Sequence, residues 1–187
     1  MNPILDLCKN KDEQLLDVLF EAQASAARNN QNASSVAVKM AGMGSGSFDK
    51  AVIAAICMIG SIHAPVSQTR ELMFDRDIET IEGKIIAIVQ NGGKVPGFGN
   101  SFYKDSIDPS FLNIAEYINS NYERTRNRIF WAGVYVEKAT GTLLFPNAAM
   151  FTAATADILG FPKGVESLLF IASRLPVWAE IFISKTE

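Results

Sequence analysis

The chain has 187 residues, of which 48% are hydrophobic and 20% are charged, and this balance is typical of one compact globular unit rather than of a disordered or fibrous chain. Its formal net charge is −3 with both signs mixed along the sequence, so it lacks the basic excess that nucleic-acid binding uses, and we expect no nucleic-acid partner. No uninterrupted apolar run reaches the roughly 20 residues of a membrane span, and the N-terminus lacks the layout of a signal peptide. We therefore expect a cytoplasmic protein with no membrane partner.

Apolar residues at three-and-four spacing predict a series of helices in the first half of the chain. Asparagines and glycines separate these segments, and Ser47 is a suitable N-cap residue. The predicted helices are Asp12–Arg28, Ala33–Gly42, Ser47–Gly60, Ser67–Phe74 and Asp77–Gln90.

The second half continues the same pattern. A helix is expected after Asp108-Pro109, because an N-cap aspartate followed by proline is a common helix start. The segment 123–138 has helical spacing, although its β-branched and aromatic content leaves a strand open. A further helix is predicted from about Ala148 to Leu159, and a last one from near Gly164 with a kink at Pro176. The fold class that follows is all-α.

The segment from Val95 to Lys104 interrupts the helices with a Pro-Gly-x-Gly turn. Two glycines beside a proline predict a sharp bend in which the backbone approaches another group closely. That group is either a ligand or a neighbouring helix, and both readings stay open from the residues alone.

Few residues in the chain point to chemistry. His63 is the only histidine, and with Cys8 and Cys57, which we interpret as buried, reduced thiols, it makes no set of metal ligands, so no metal is expected. Gly97-Phe98-Gly99 is not a dinucleotide fingerprint, because the third glycine and the preceding strand are missing. Arg174 lies inside an apolar helix pattern, where an arginine requires an anionic partner or a route to solvent.

Several segments, taken together and in order, resemble the citrate synthase family, including the related citryl-CoA lyase modules. The resemblance covers residues 20 to 182, nearly the whole chain. The segments that carry it are Asn32-Ala33-Ser34-Ser35, Ile59-Gly60-Ser61-Ile62-His63, Val95 to Lys104 with Asp108-Pro109, Pro146 to Phe151 with Gly160-Phe161-Pro162, and Phe170 to Arg174 with Trp178.

The resemblance implies an all-helical fold in which a small domain is inserted into a set of large-domain helices. The large-domain-like part would comprise 1–75 and 166–187, and the small, CoA-binding-like domain would comprise 76–165. It also implies a dimer interface near the first matched segments, and the chain corresponds to the catalytic half of a full-length member.

Carried over position by position, the resemblance implies that His63 and Arg174 are retained catalytic residues and that others are replaced. Ala149 stands at the position of the general base, and Asn100 at that of the histidine which polarises the oxo-acid. Ser110 and Asn29 replace an arginine and another histidine. The loop residues Val95, Pro96, Gly97, Phe98 and Gly99 would surround the adenine of coenzyme A, and Lys104 would meet a phosphate.

These positions predict a truncated, catalytically impaired protein that acts by binding CoA, an acyl-CoA or a protein partner, without a tightly bound cofactor. We expect a homodimer or a complex with a full-length citrate-synthase-like partner. An active acyl-CoA:oxo-acid C-acyltransferase or citryl-CoA lyase is the alternative, with Asp105, Asp157 or Glu180 as replacement acids. A purely structural dimerisation module is the third hypothesis.

Overall fold

The computed structural model describes residues 3–28, 32–75 and 77–186, and these residues form helices joined by short loops. Within them no strand is present beyond an isolated bridge between Phe98 and Pro146. The all-α prediction is confirmed. The helices are α1 (Glu13–Arg28), α2 (Ala33–Ser45), α3 (Phe48–Cys57), α4 (Val66–Met73), α5 (Ile78–Gln90), α6 (Leu112–Asn121), α7 (Glu123–Thr140), α8 (Ala148–Ile158) and α9 (Ser167–Thr186), with 3₁₀ turns at Leu5–Leu7 and Pro109–Phe111.

Local sequence accounts for most helix ends. Asn32 caps α2 by accepting from the Ser35 amide at 3.0 Å, and Asn147 caps α8 by accepting from the Ala149 amide at 3.0 Å. Segment 123–140 is helical, so the strand alternative is wrong there, and Gly141 ends α7 in the left-handed conformation with φ 69°. Helix α9 runs through Pro176 without ending.

Two hydrophobic clusters form the interior, and α1 and α9 contribute to both. The larger cluster joins the first part of α1 and the first turn of α9 to α4 through α8. Within it Phe111 stacks on Phe151 with ring centroids 5.6 Å apart. The smaller cluster joins the other ends of α1 and α9 to α2 and α3. The larger cluster therefore includes side chains from both predicted domains. The division itself stays a prediction, and its boundary residue Arg76 lies outside the described residues.

Helix α9 is the central helix of the two clusters. By length and composition alone its segment Ser167–Ser184 is apolar enough to cross a membrane, although it contains Arg174 and Glu180. Leu169, Phe170 and Trp178 are buried among neighbouring helices, whereas other apolar side chains of this helix, such as Ile183, are exposed.

The two cysteines differ in their surroundings. Cys8 is buried, as predicted, and burial raises the pKa of its thiol. The prediction is wrong for Cys57, which is exposed because it lies in the last turn of α3 on a face that no other described element covers. Among the described residues no group of three or more His, Cys, Asp or Glu side chains is placed to hold a metal ion.

Candidate functional site

His63 and Arg174 lie against the same aromatic ring. The imidazole of His63 meets the ring of Phe170 edge-on, with centroids 5.9 Å apart and an interplanar angle of 87°. The Arg174 guanidinium carbon lies 4.1 Å from the centre of that ring, a cation–π arrangement between residues one helical turn apart on α9. The two residues that the resemblance treats as retained therefore share one site.

His63 is joined by a hydrogen bond to the first turn of α2. The imidazole Nε2 lies 3.3 Å from Ser34 Oγ, and Ser34 Oγ lies 2.9 Å from Asn32 Oδ1. A serine hydroxyl has one hydrogen, so Nε2 is the donor when that hydrogen goes to Asn32 and the acceptor when it goes to His63. In both tautomers the contact holds the imidazole against α2.

His63 is neutral at physiological pH. Burial, followed by the positive charge of Arg174, lowers the pKa of His63 from 6.5 to about 4. At pH 7 the ring can donate or accept a hydrogen bond, but it cannot supply a positive charge.

Arg174 is only 3% exposed, and its hydrogen-bond partner is a neutral amide. Its Nε and Nη2 atoms donate to Oε1 of Gln23 at 3.0 and 2.9 Å. The third nitrogen, Nη1, is buried and has no hydrogen-bond partner among the described residues. Burial lowers the pKa of Arg174 to about 9, partly opposed by the negative charge of Asp108. The expectation of an anionic partner or a route to solvent is therefore wrong for the guanidinium fork.

Gln23 connects three helices at this point. Its Nε2 donates to Thr152 Oγ1 at 2.7 Å and more weakly to the Ala148 carbonyl at 3.4 Å, while Thr152 donates to the same carbonyl at 2.7 Å. Gln23 is fully buried on α1, Thr152 lies on α8 and Arg174 lies on α9. Gln23 is not among the predicted site residues, although it is a polar member of the apolar stripe that contains Leu19 and Ala27.

The loop after α5 is fastened to the start of α8. The Gly97 carbonyl accepts from the Asn147 amide at 3.0 Å, and the Gly99 carbonyl accepts from Asn147 Nδ2 at 2.9 Å. Gly99 also donates to the Phe145 carbonyl at 2.9 Å. Asn147 thus holds the loop and caps α8 at the same time.

The close approach predicted for this loop is an approach to helices. A Cβ atom on Gly97 would lie 2.6 Å from Thr69 Cγ2 on α4 and 2.9 Å from Met150 Cε on α8. Val95 and Phe98 are buried in the larger cluster, Pro96 is partly buried, and Lys104 is exposed. Val95, Gly97 and Phe98 therefore pack the loop against the helices beneath it. The predicted CoA contact stays a prediction.

Three of the four positions with replaced residues lie among the described residues. Asn100 accepts from the Phe102 amide at 2.9 Å and so forms a local turn in the loop. The Ser110 amide donates to Asp108 Oδ1 at 2.9 Å in the 3₁₀ turn before α6. Ala149 is buried in the first turn of α8, where its methyl group offers no proton acceptor. Asn29 lies outside the described residues.

The three proposed replacement acids do not act on His63. Asp157 is half-buried, and burial raises the pKa of its carboxyl while Arg70 and two arginines of α7 lower it. Glu180 is exposed and pairs with Arg28 at 3.2 Å, and Asp105 is exposed in the loop region. The charge that acts on His63 is that of Arg174.

This helical arrangement has relatives among solved structures. The chain superposes on the citrate synthase of Thermotoga maritima MSB8 with a TM-score of 0.74 and 19% identity, covering 92% of this chain and 47% of that one. Citryl-CoA lyase from Hydrogenobacter thermophilus gives a TM-score of 0.72 and 20% identity, covering 92% of this chain and 68% of that one. The fold is thus that of citrate synthases and citryl-CoA lyases.

The sequence comparison assigns the family. The family model for the citrate synthase C-terminal domain matches residues 2–184, and the chain belongs to the citrate synthase family. It is 26% identical over 178 residues to citrate synthase 1 of Mycobacterium tuberculosis, an alignment that covers 87% of this chain and 40% of that protein. The chain thus spans less than half of the curated relative's length.

Proposed function

We propose that this chain is a catalytically impaired citrate-synthase-like protein of the cytoplasm that binds coenzyme A or an acyl-CoA without condensing it with an oxo-acid. The observation that carries the proposal is the junction of the loop with α8. Asn147 holds the carbonyls of Gly97 and Gly99, so the loop that the resemblance assigns to the adenine has a fixed shape. Two residues after Asn147, the position of the general base holds a buried alanine, Ala149.

The replaced residues are expected to lower the rate of condensation by several orders of magnitude. A general base contributes about 10²- to 10⁴-fold to a proton abstraction, and Ala149 has no group to supply it. Asn100 cannot carry the positive charge of a histidine, and losing one electrostatic stabiliser costs about 10²- to 10³-fold. Condensation is therefore expected to be lost before binding is.

A thermal-shift titration with CoA tests the binding. CoA at about 100 times its dissociation constant is expected to stabilise the protein by about 2.7 kcal/mol, because it binds the folded state alone. Pantetheine, which lacks the adenine nucleotide, should give a smaller shift. With acetyl-CoA and oxaloacetate, we expect thiol release at the rate of the blank without protein.

The matched variants are Lys104→Ala and Lys163→Ala. Both lysines are exposed, but only Lys104 adjoins the loop, so only its loss should weaken the CoA response. Absence of any CoA-induced shift would favour the purely structural dimerisation module. Thiol release in proportion to protein concentration would instead support the active acyltransferase or lyase.

We further propose that the chain forms a homodimer through α2, α3 and the turn that follows α3. Exposed apolar side chains recur at three-and-four spacing on both helices. Soluble monomers rarely display an exposed apolar patch of this size. The alternative occupant is the corresponding surface of a full-length citrate-synthase-like partner. The side chains are Val36, Met40, Met43, Ile53, Ile56, Met58 and Ile62.

Sedimentation equilibrium tests the dimer. Met40→Glu on α2 is expected to shift the protein to monomer, because it places a charge in the buried centre of the interface. Phe130→Glu on α7 is the matched control, since Met40 and Phe130 are 63% and 62% exposed. A monomeric wild type, or equal dissociation by both substitutions, would refute this interface.

A further inference from the structure

A side chain of the protein, Gln23, occupies the position in front of the Arg174 guanidinium where a ligand would bind. Arginine typically binds a carboxylate through two parallel N–H donors. Here the donors Nε and Nη2 converge on the amide oxygen of Gln23 at 3.0 and 2.9 Å. We propose that Gln23 is an internal ligand that keeps a latent carboxylate-binding site on Arg174 closed.

Gln23 is held in this position from its other side. Its Nε2 donates to Thr152 Oγ1 at 2.7 Å, and Thr152 is fixed by its own hydrogen bond to Ala148. The amide therefore cannot turn away from Arg174 without leaving buried polar groups of α8 unpaired.

The amide is an incomplete substitute for an anion. It supplies a dipole but no charge, and Arg174 Nη1 stays buried without a hydrogen-bond partner in the part of the chain that the structure describes. A carboxylate in the same place would provide a second oxygen and a compensating charge. The site thus has unmet capacity for a small carboxylate, while the wild-type side chain occupies the space that such an anion needs.

This inference goes beyond CoA binding and does not depend on it. It predicts that the wild-type protein excludes small carboxylates from Arg174. Binding of a small carboxylate at Arg174 should therefore be measurable only in a variant with a shorter side chain at position 23. Gln23→Ala removes a methylene and a carboxamide, which together are isosteric with acetamide and nearly so with acetate.

The test measures the melting temperature of Gln23→Ala in sodium acetate and in sodium chloride of equal ionic strength. Loss of the hydrogen bonds to a charged group should lower the melting temperature by about 3 to 12 °C. Acetate at about ten times its dissociation constant should then restore about 3 to 6 °C, and it should leave the melting temperature of the wild type unchanged.

Acetate should also raise the melting temperature of Gln23→Ala more than acetamide does, because acetamide fills the cavity but carries no charge. If Gln23→Ala does not fold in chloride, the yield on refolding in acetate against chloride gives the same comparison.

Two further variants decide the cause. In Gln23→Ala/Arg174→Met the acetate effect should vanish, because the fork is gone. Gln23→Glu supplies the carboxylate covalently, so at pH 7 it should melt above Gln23→Ala and should not respond to acetate. The inference is overturned if acetate acts no better than chloride or acetamide, if its effect survives without Arg174, or if Gln23→Glu is no more stable than Gln23→Ala. Such a failure would leave CoA-induced stabilisation of the wild type unaffected.

Discussion

Replacing Glu166 by glutamine is expected to lower the free energy of unfolding by about 3–5 kcal/mol at pH 7, because it leaves a buried arginine charge without its counter-charge. Arg70 Nη1 lies 3.1 Å from Glu166 Oε1, and the two side chains are 5% and 4% exposed. Ser67 Oγ and the Gly164 amide donate to the other carboxylate oxygen at 2.8 and 3.0 Å. This pair joins α4 to the turn before α9.

The effect should depend on pH in a defined direction. Burial alone would raise the pKa of Glu166, but the hydrogen bonds from Ser67, Gly164 and Arg70 outweigh it, so the pKa lies below its usual value of 4.5. Because the folded-state pKa is the lower one, the stabilisation is fully present above pH 4.5 and is lost as the pH falls below it. The gap between wild type and Glu166→Gln should therefore narrow in acid.

Urea unfolding at pH 7 and at acidic pH measures both parts of the prediction. Glu82→Gln is the matched control, because Glu82 pairs with Lys138 at 2.6 Å at the surface, where solvent screens the pair. Equal destabilisation by the two substitutions, or a gap that widens in acid, would contradict the role assigned to the buried pair.

Helix positions could be predicted from the sequence because their cause is local. The periodic apolar residues of α1 predict Asp12–Arg28, and the helix is Glu13–Arg28. The start of α8 could likewise be predicted from Pro146-Asn147, since an asparagine side chain needs only the amides two and three residues ahead to act as a cap. Such features depend on residues within one or two turns.

The candidate site could be predicted only in part, because its contacts join distant segments. The resemblance singled out His63 and Arg174, and they share the Phe170 ring. The residue that satisfies Arg174 is Gln23, 151 positions away in the sequence, and no local pattern indicates that pairing. The exposure of Cys57 has the same origin, since it depends on which face of α3 the other helices cover.

Gly97→Ala is expected to lower the free energy of unfolding by about 2–5 kcal/mol. The residue has φ 87°, and a side chain in this region costs about 1–2 kcal/mol. Overpacking against Thr69 and Met150 adds about 1–3 kcal/mol. Thr69 cannot rotate away freely, because its hydroxyl donates to the Pro65 carbonyl at 2.7 Å.

Gly99→Ala separates the two contributions. Gly99 has φ 81°, but a Cβ there would meet only Leu144 Cδ1 at 3.9 Å, so this substitution should cost the backbone part alone. Thr69→Ser then isolates the steric part, because serine keeps the hydroxyl and lacks the methyl group that the new Cβ would contact. In that background the cost of Gly97→Ala should fall toward that of Gly99→Ala, as measured by urea unfolding of the four variants. Equal costs for the two glycine substitutions in the wild-type background would mean that the loop is shaped by its backbone conformation and not by the helices beneath it.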